Sequence, residues 1–78
     1  MAKRVEGNPY ENLANGIIVQ ACDDYRAELK RIKKNPWNRD SVDEAMRIER
    51  FFHSRWFSTL TAVDGDFLIL KIREEATA

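Results

Sequence analysis

Apolar residues recur at intervals of three and four over the first half of the chain, which is the pattern of one face of an α-helix. They are Tyr10, Leu13, Ala14, Ile17, Ile18, Ala21, Tyr25, Leu29 and Ile32. Asn8 followed by Pro9 predicts the start of this helix, because asparagine is a good N-cap and proline suits the first helical position. Asn35-Pro36 predicts its end, since the residue before proline is kept out of helical backbone angles. Gly16 costs about 1 kcal/mol within the helix, and we interpret it as a tolerated glycine, with a close helix crossing or a kink as the alternatives.

A second helix is predicted from Ser41 to about His53. The sequence S-V-D-E that begins at Ser41 has the spacing of a capping box, in which Ser41 and Glu44 would each satisfy a free backbone amide. Asp43 and Arg47 lie four residues apart and are expected to pair on the exposed side. The residues expected to face inward are Ala45, Ile48, Phe51 and Phe52.

Two shorter elements follow. Ser54 is the expected N-cap of a helix that runs through Leu60, and Asp64-Gly65 combines a turn signal with a helix start. From Asp66 to about Glu75 the apolar residues partly alternate with charged ones, which also suits a strand. No partner strand is visible elsewhere, and an unpaired strand leaves its backbone groups without hydrogen bonds. We therefore predict a helix for this last element.

The remaining core is expected to come from the aromatic and aliphatic residues of the second half. They are Phe51, Phe52, Trp56, Phe57, Leu60, Phe67, Leu68 and Ile72, with Ile69 or Leu70 beside them. An alternative is that the aromatic residues stack on nucleobases beside Arg50 and Arg55, but so small a domain has little else to bury. Adjacent aromatic residues cannot all point the same way on a helix. One of them is therefore expected to reach the surface, where an aromatic beside arginine is a common anchor of protein interfaces.

These elements predict an all-α fold in one domain over residues 1–78, with one long N-terminal helix packed on two or three shorter helices. Residues 1–8 and 76–78 are expected to fray. A chain of 78 residues cannot spare many large apolar side chains for a ligand pocket. Small domains without disulfides or metals often gain stability by oligomerisation, so a homodimer is an alternative to the monomer.

Charge is high but balanced, with 13 Lys and Arg against 13 Asp and Glu. A net charge of zero gives no overall attraction to nucleic acid or to an anionic membrane, so such binding would need a local patch. Cys22 is the only cysteine, which excludes an internal disulfide and fits a reducing cytosol. No apolar run approaches the length of a membrane span, and the charged first residues lack the apolar core of a signal peptide. A cytoplasmic protein is expected.

Catalysis is not expected from this set of residues. His53 is the only histidine, Cys22 lies on a different predicted helix, and a nucleophile with its base would need a third orienting group. Glu49 and His53 lie four residues apart, but two ligands are too few for a closed zinc site. No glycine-rich phosphate-binding loop is present. The sequence therefore predicts no enzyme, no cofactor and no metal.

Two blocks of the chain, at 10–30 and 48–75, resemble a widespread group of small, uncharacterised proteins of prophages and integrative elements of Gram-positive bacteria. The mark of the resemblance is the pattern F-F-x-S-x-W-F-x-x-L-T-x-x-D-G at 51–65. No activity, cofactor or catalytic residue follows from it. It implies a bacterial cytoplasm and a mobile element, whose small accessory proteins often bind a host or phage macromolecule, including defence proteins.

Basic residues supply the candidate contacts. The candidates on one flank of the first helix and just after it are Arg26, Lys30, Lys33, Lys34, Trp37 and Arg39, and those near the aromatic residues are Arg50 and Arg55. A solvated helix face whose cations complement the helix dipole is the plainer interpretation. A helix-turn-helix over 56–75 is disfavoured, because Asp64, Asp66, Glu74 and Glu75 would repel DNA phosphates.

Three functions remain open. The first is a binding module that recognises a host or phage protein, such as a defence factor, and modulates or inhibits it. The second is a small nucleic-acid-binding protein that uses the basic flank of the first helix. The third is a small-ligand site between the helices of an oligomer, which would require a pocket that the sequence cannot show.

Overall fold

The computed structural model describes the backbone of residues 9–77 and the side-chain surroundings of residues 12–77. Within them the chain forms the helices α1 (Pro9–Lys34), α2 (Arg39–Phe52), α3 (Arg55–Leu60) and α4 (Gly65–Thr77). The described residues contain no strand, so the last element is a helix as predicted. The predicted all-α bundle is confirmed: α1 is the longest helix, and α2, α3 and α4 all pack against it.

The end of α1 and the start of α2 are joined by a tight turn at 35–38. The amide of Asn35 still donates to the carbonyl of Arg31 at 2.9 Å, and Pro36 then stops the helix. The side chain of Asn38 accepts from the amide of Ser41 at 3.1 Å and is the N-cap of α2. The predicted capping box at Ser41 is therefore wrong. Asn38 is an equally good cap and comes first after the turn, so the helix begins two residues earlier and Ser41 is buried inside it.

Salt bridges on α2 also differ from the expected spacing. Arg47 pairs with Glu44, three residues before it, rather than with Asp43. Both spacings are neighbours on a helix surface, and each contributes only a few tenths of a kcal/mol, roughly 0.2–0.5, so the sequence does not decide between them.

The core lies where α1, α2, α3 and α4 meet. Its buried members are Tyr25, Ala45, Ile48, Phe52, Phe57, Ile69 and Ile72. Phe52 and Phe57 pack edge to face with their ring centroids 5.5 Å apart, and Phe51 covers both rings from a half-buried position. Most of the predicted core is thus confirmed, including the inward positions of Ala45 and Ile48.

Three predicted core residues lie on the surface instead. Trp56 is 57% exposed, and its ring packs edge to face with Phe51 at a centroid distance of 5.7 Å. Helix α3 has only six residues, and Ser54 fixes its register by accepting from the amide of Phe57, which turns Phe57 rather than Trp56 inward. Phe67 is 56% exposed because it lies opposite Ile69 and Ile72 on α4. Leu13 is also exposed.

Helix α4 begins at a very close approach to α2. The side chain of Asp64 accepts from the amide of Asp66 at 3.0 Å, which confirms the predicted helix start. A Cβ atom at position 65 would collide with the backbone oxygen of Phe52, so only glycine fits there. At Gly16, by contrast, an added Cβ would meet nothing within 4 Å, which confirms a tolerated glycine without a close helix crossing.

The last helix runs further than predicted. Residues 76 and 77 belong to α4, and Ala76 is buried against α1, so the expected fraying does not hold for them. Packing of an apolar side chain against a neighbouring helix offsets the fraying that is usual at a chain end. The predicted N-cap Asn8 and the predicted fraying of residues 1–8 and 78 lie outside the described residues.

Candidate protein-binding surface

The turn between α1 and α2 holds Trp37 almost entirely in solvent. Its side chain is 90% exposed, more than any other large hydrophobic residue that the structure describes. The backbone beneath it is nevertheless fixed. The amide of Trp37 donates to the side chain of Asn35 at 3.1 Å, and the amide of Asn38 donates to the carbonyl of Asn35 at 3.0 Å. With Pro36 restricting the residue before it, the indole is presented from a rigid turn.

The lysines that precede this turn and the arginine that follows it form no salt bridge with a described carboxylate. Among the residues that the structure describes, Lys30, Lys33, Lys34 and Arg39 are exposed and form no salt bridge. We call Lys30, Lys33, Lys34, Trp37 and Arg39 the basic end of the bundle. The last turn of α1 carries the negative end of the helix dipole, which these lysines complement. The predicted cluster of basic residues at this end is present in the structure.

Arg26 does not belong to the basic end. Its guanidinium bonds to Glu75 of α4 at 2.9 Å and to Asp23 of α1 at 3.0 Å, so its charge is matched within the domain. The carboxylate of Glu75 raises the pKa of Arg26. The sequence places Arg26 on the same flank as Lys30 and Lys33, but it cannot show that α4 returns with a carboxylate beside it.

Arg50 and Arg55 lie at the other end of α2. Arg50 is exposed in the last turn of that helix, and Arg55 is the first residue of α3. Arg55 lines an open cleft with His53 and Asp66, whose side chains contact each other. The structure therefore separates the predicted contact residues into the basic end, the paired Arg26, and these two arginines beside the exposed Trp56.

A partly buried cluster of polar side chains lies where three helices meet, and the sequence prediction does not contain it. The hydroxyl of Tyr25 on α1 donates to Glu49 on α2, and Arg73 on α4 donates to the same carboxylate at 2.7 Å and to the Tyr25 oxygen at 3.1 Å. We call these three residues the Tyr25 cluster. Burial and the hydrogen bond to Glu49 raise the pKa of Tyr25 to about 12, so its hydroxyl stays a donor at neutral pH. Each of the three side chains bonds to the other two, so the cluster links α1, α2 and α4.

The side chains of Glu49 and His53, which lie four residues apart at the end of α2, bond to different partners. Glu49 turns to Tyr25 and Arg73, while His53 turns to Asp66. Burial raises the pKa of the Cys22 thiol, which keeps it protonated at neutral pH. Within the described part of the chain, no three His, Cys, Asp or Glu side chains lie close enough together to hold a metal ion.

No protein-family model, no curated protein and no solved structure matches the chain. Among helices α1 to α4, none combines the length and apolar character needed to cross a bilayer. The homodimer that its small size favours stays a prediction.

Proposed function

We propose that this chain is a non-catalytic binding module that recognises a protein partner through the basic end. The observation that carries the proposal is Trp37, 90% exposed on a turn whose backbone is fixed by hydrogen bonds. Exposing a tryptophan gains nothing for folding, because its apolar surface stays in water. Tryptophan is instead among the residues most enriched at the energetic centres of protein interfaces.

The rigidity of the turn supports this function in a second way. Association costs free energy for each side chain and loop that has to be ordered. The Asn35 side chain and Pro36 already hold the backbone of Trp37, so little of that cost remains for the turn. Lys33 and Lys34 end α1 just before the turn and Arg39 begins α2 just after it, and their exposed charges would steer a partner of opposite charge into contact.

The resemblance to small prophage and integrative-element proteins supplies the context of the proposal. We infer an accessory protein of a phage or mobile element, acting in the cytoplasm of the bacterial host. Its partner is then a host or phage protein, such as a defence factor, whose activity it modulates or inhibits by covering a surface.

Nucleic-acid binding is the second candidate, and the unpaired cations favour it. Lys30, Lys34 and Arg39 form no salt bridge with the described residues that would compete with a phosphate, and Trp37 offers a face for a base. The net charge of zero weighs against it, since a domain that binds nucleic acid without sequence preference usually carries an excess of cations.

A tagged pull-down from host lysate, with and without nuclease, tests the proposal. We expect a specific protein to be retained in both arms by the parent chain and lost with Trp37→Ala. Trp56→Ala is the matched control, because Trp56 is also exposed but lies away from the basic end. Material that disappears with nuclease would favour the second candidate, and a partner that both variants retain would contradict the proposed surface.

A further inference from the structure

An open apolar groove lies beside the basic end, between the last turns of α1 and the end of α4. Its volume is about 420 Å³. It is lined by Leu29, Ile32, Lys33, Pro36, Ala76 and Thr77, with Arg73 at one side. Leu29 and Ile32 are only half covered by the core behind them. The groove exists because α4 stays helical to Thr77, so that Ala76 faces α1.

A second, basic groove adjoins the first. It measures about 520 Å³ and is lined by Lys30, Arg31, Lys33, Lys34, Glu75 and Ala76. Lys33 and Ala76 line both grooves, so the lysine stands at the boundary between an apolar and a cationic surface. Its ammonium donates to the carbonyl of Ala76 at 3.4 Å, a long hydrogen bond that leaves its other donors open to a ligand.

Resting on the proposed function, we propose that the partner segment seated here is acidic and carries an apolar anchor. The anchor fills the groove of Leu29, Ile32 and Pro36, and neighbouring carboxylates meet Lys33 and Lys30. The argument for this occupant is complementarity: the apolar groove and the cationic groove share a wall, so one short segment reaches both. Pro36 lines the apolar groove directly before Trp37, which continues the contact from the groove to the exposed indole.

The same geometry favours a peptide over a nucleic acid. Phosphates suit Lys30, Lys33 and Lys34, but a base pushed into the apolar groove would leave its polar edges without hydrogen bonds. Leucine, isoleucine or phenylalanine side chains have no such edges and would cover the half-exposed Leu29 and Ile32.

Backbone amide shifts of the full chain, titrated with defined probes, test the inference. The first probe is a short acidic peptide with leucine at its centre. The second replaces leucine by serine, the third replaces the acidic residues by their amides, and the fourth is oligo(dT). We expect the first peptide to shift the amides of residues 29–35, 37 and 76, and the second and third to bind at least about tenfold more weakly.

Matched charge reversals complete the test. Lys33→Glu should weaken the first peptide by at least about tenfold, whereas Arg55→Glu, the same charge reversal at the start of α3, should leave its affinity within about twofold. Both side chains are exposed, so neither substitution should prevent folding.

Three results would overturn the inference. They are binding of none of the peptides, equal binding with and without the leucine, and equal losses in the two variants. If a lysate partner is released by Trp37→Ala while the peptides fail, the proposed function stands and the inference falls. If only oligo(dT) shifts the basic end, both fall in favour of nucleic acid.

Discussion

The Tyr25 cluster and the basic end differ in whether their charged side chains are paired. In the Tyr25 cluster, one carboxylate, one guanidinium and one hydroxyl from three helices satisfy one another. At the basic end, the lysines, the arginine and the indole of Trp37 are exposed, and none of these cations forms a salt bridge with the described residues. Helix α1 contributes to both regions, with Tyr25 in the cluster and Lys30, Lys33 and Lys34 in the basic end. The difference distinguishes side chains that link the helices from exposed side chains that remain available to a partner.

On the proposed function, the Tyr25 cluster contributes to stability and the basic end contributes to binding. Where helices converge, an unpaired charge would be costly, so the partners come together from distant parts of the sequence. At the basic end the cations stay in water, where they cost little and contribute little to folding. Substitutions near the converging helices should therefore lower stability, and substitutions at the basic end should leave it almost unchanged.

The largest loss of stability is expected in the aromatic core. Phe57 is 2% exposed and packs against Phe51 and Phe52, so Phe57→Ala should cost about 3–5 kcal/mol of unfolding free energy. Trp56→Ala, one residue earlier, should cost only about 1 kcal/mol, mainly from its edge contact with Phe51. Urea unfolding measures both. Equal costs for the two variants would mean that Trp56 contributes to the core after all.

The two helical glycines should respond in opposite directions to alanine. Gly65→Ala drives a methyl group into the backbone of Phe52 and should destabilise the domain by about 1–3 kcal/mol. Gly16→Ala meets no neighbour and should stabilise α1 by up to about 1 kcal/mol. The melting temperatures of the two variants, compared with that of the parent, measure both effects. A neutral Gly65→Ala would show that α2 and α4 are not held at this close approach.

Breaking the Tyr25 cluster should have a smaller effect that depends on pH. Glu49→Gln removes the charged acceptor and should cost about 1–2 kcal/mol at pH 7. Burial alone would raise the pKa of Glu49, but the hydrogen bonds from Tyr25 and Arg73 outweigh it and lower this pKa below the ordinary 4.5. The stabilisation is therefore complete above the unfolded-state pKa and is lost as the pH falls through the folded-state pKa.

Urea unfolding of the parent and of Glu49→Gln at a series of pH values measures the difference in their unfolding free energies. The difference between them should be constant from about pH 7 to pH 5 and should shrink below that. A difference that persists unchanged to low pH would mean that the charge of Glu49 does not act through Tyr25 and Arg73.

The sequence predicts the helices well because their signals are local. The apolar spacing of α1, the Ser54 cap and the Asp64 cap depend on residues a few positions apart, and the structure confirms each of them within the described residues. The predicted start of α2 is wrong because two good caps, Asn38 and Ser41, stand three residues apart. Which one caps the helix depends on the geometry of the turn before it.

The parts that could not be predicted depend on contacts between distant segments. No local pattern shows that Glu75 returns to Arg26, or that Glu49 meets Arg73. Hydrophobicity alone places Trp56 and Phe67 in the core, yet the register of short helices turns both outward. The candidate surface was partly predicted, since lysines near the end of a helix are a local feature, whereas the groove beside them requires α4.

The smallest effect on stability is expected at the basic end itself. Trp37→Ala removes a side chain that packs on almost nothing, so its unfolding free energy should match that of the parent within about 0.5 kcal/mol. Urea unfolding again gives the comparison. A loss of several times this amount would place Trp37 among the residues that hold the fold and would remove the contrast between the two regions.

The most direct test of the central claim is the affinity of the captured partner for three versions of the chain: the parent, Trp37→Ala and Trp56→Ala. With all three shown to be folded, we expect Trp37→Ala to weaken binding by about 2 kcal/mol or more, the loss typical of an interface hot spot. Trp56→Ala should bind like the parent. Undiminished binding by Trp37→Ala would contradict the assignment of the basic end as the binding surface.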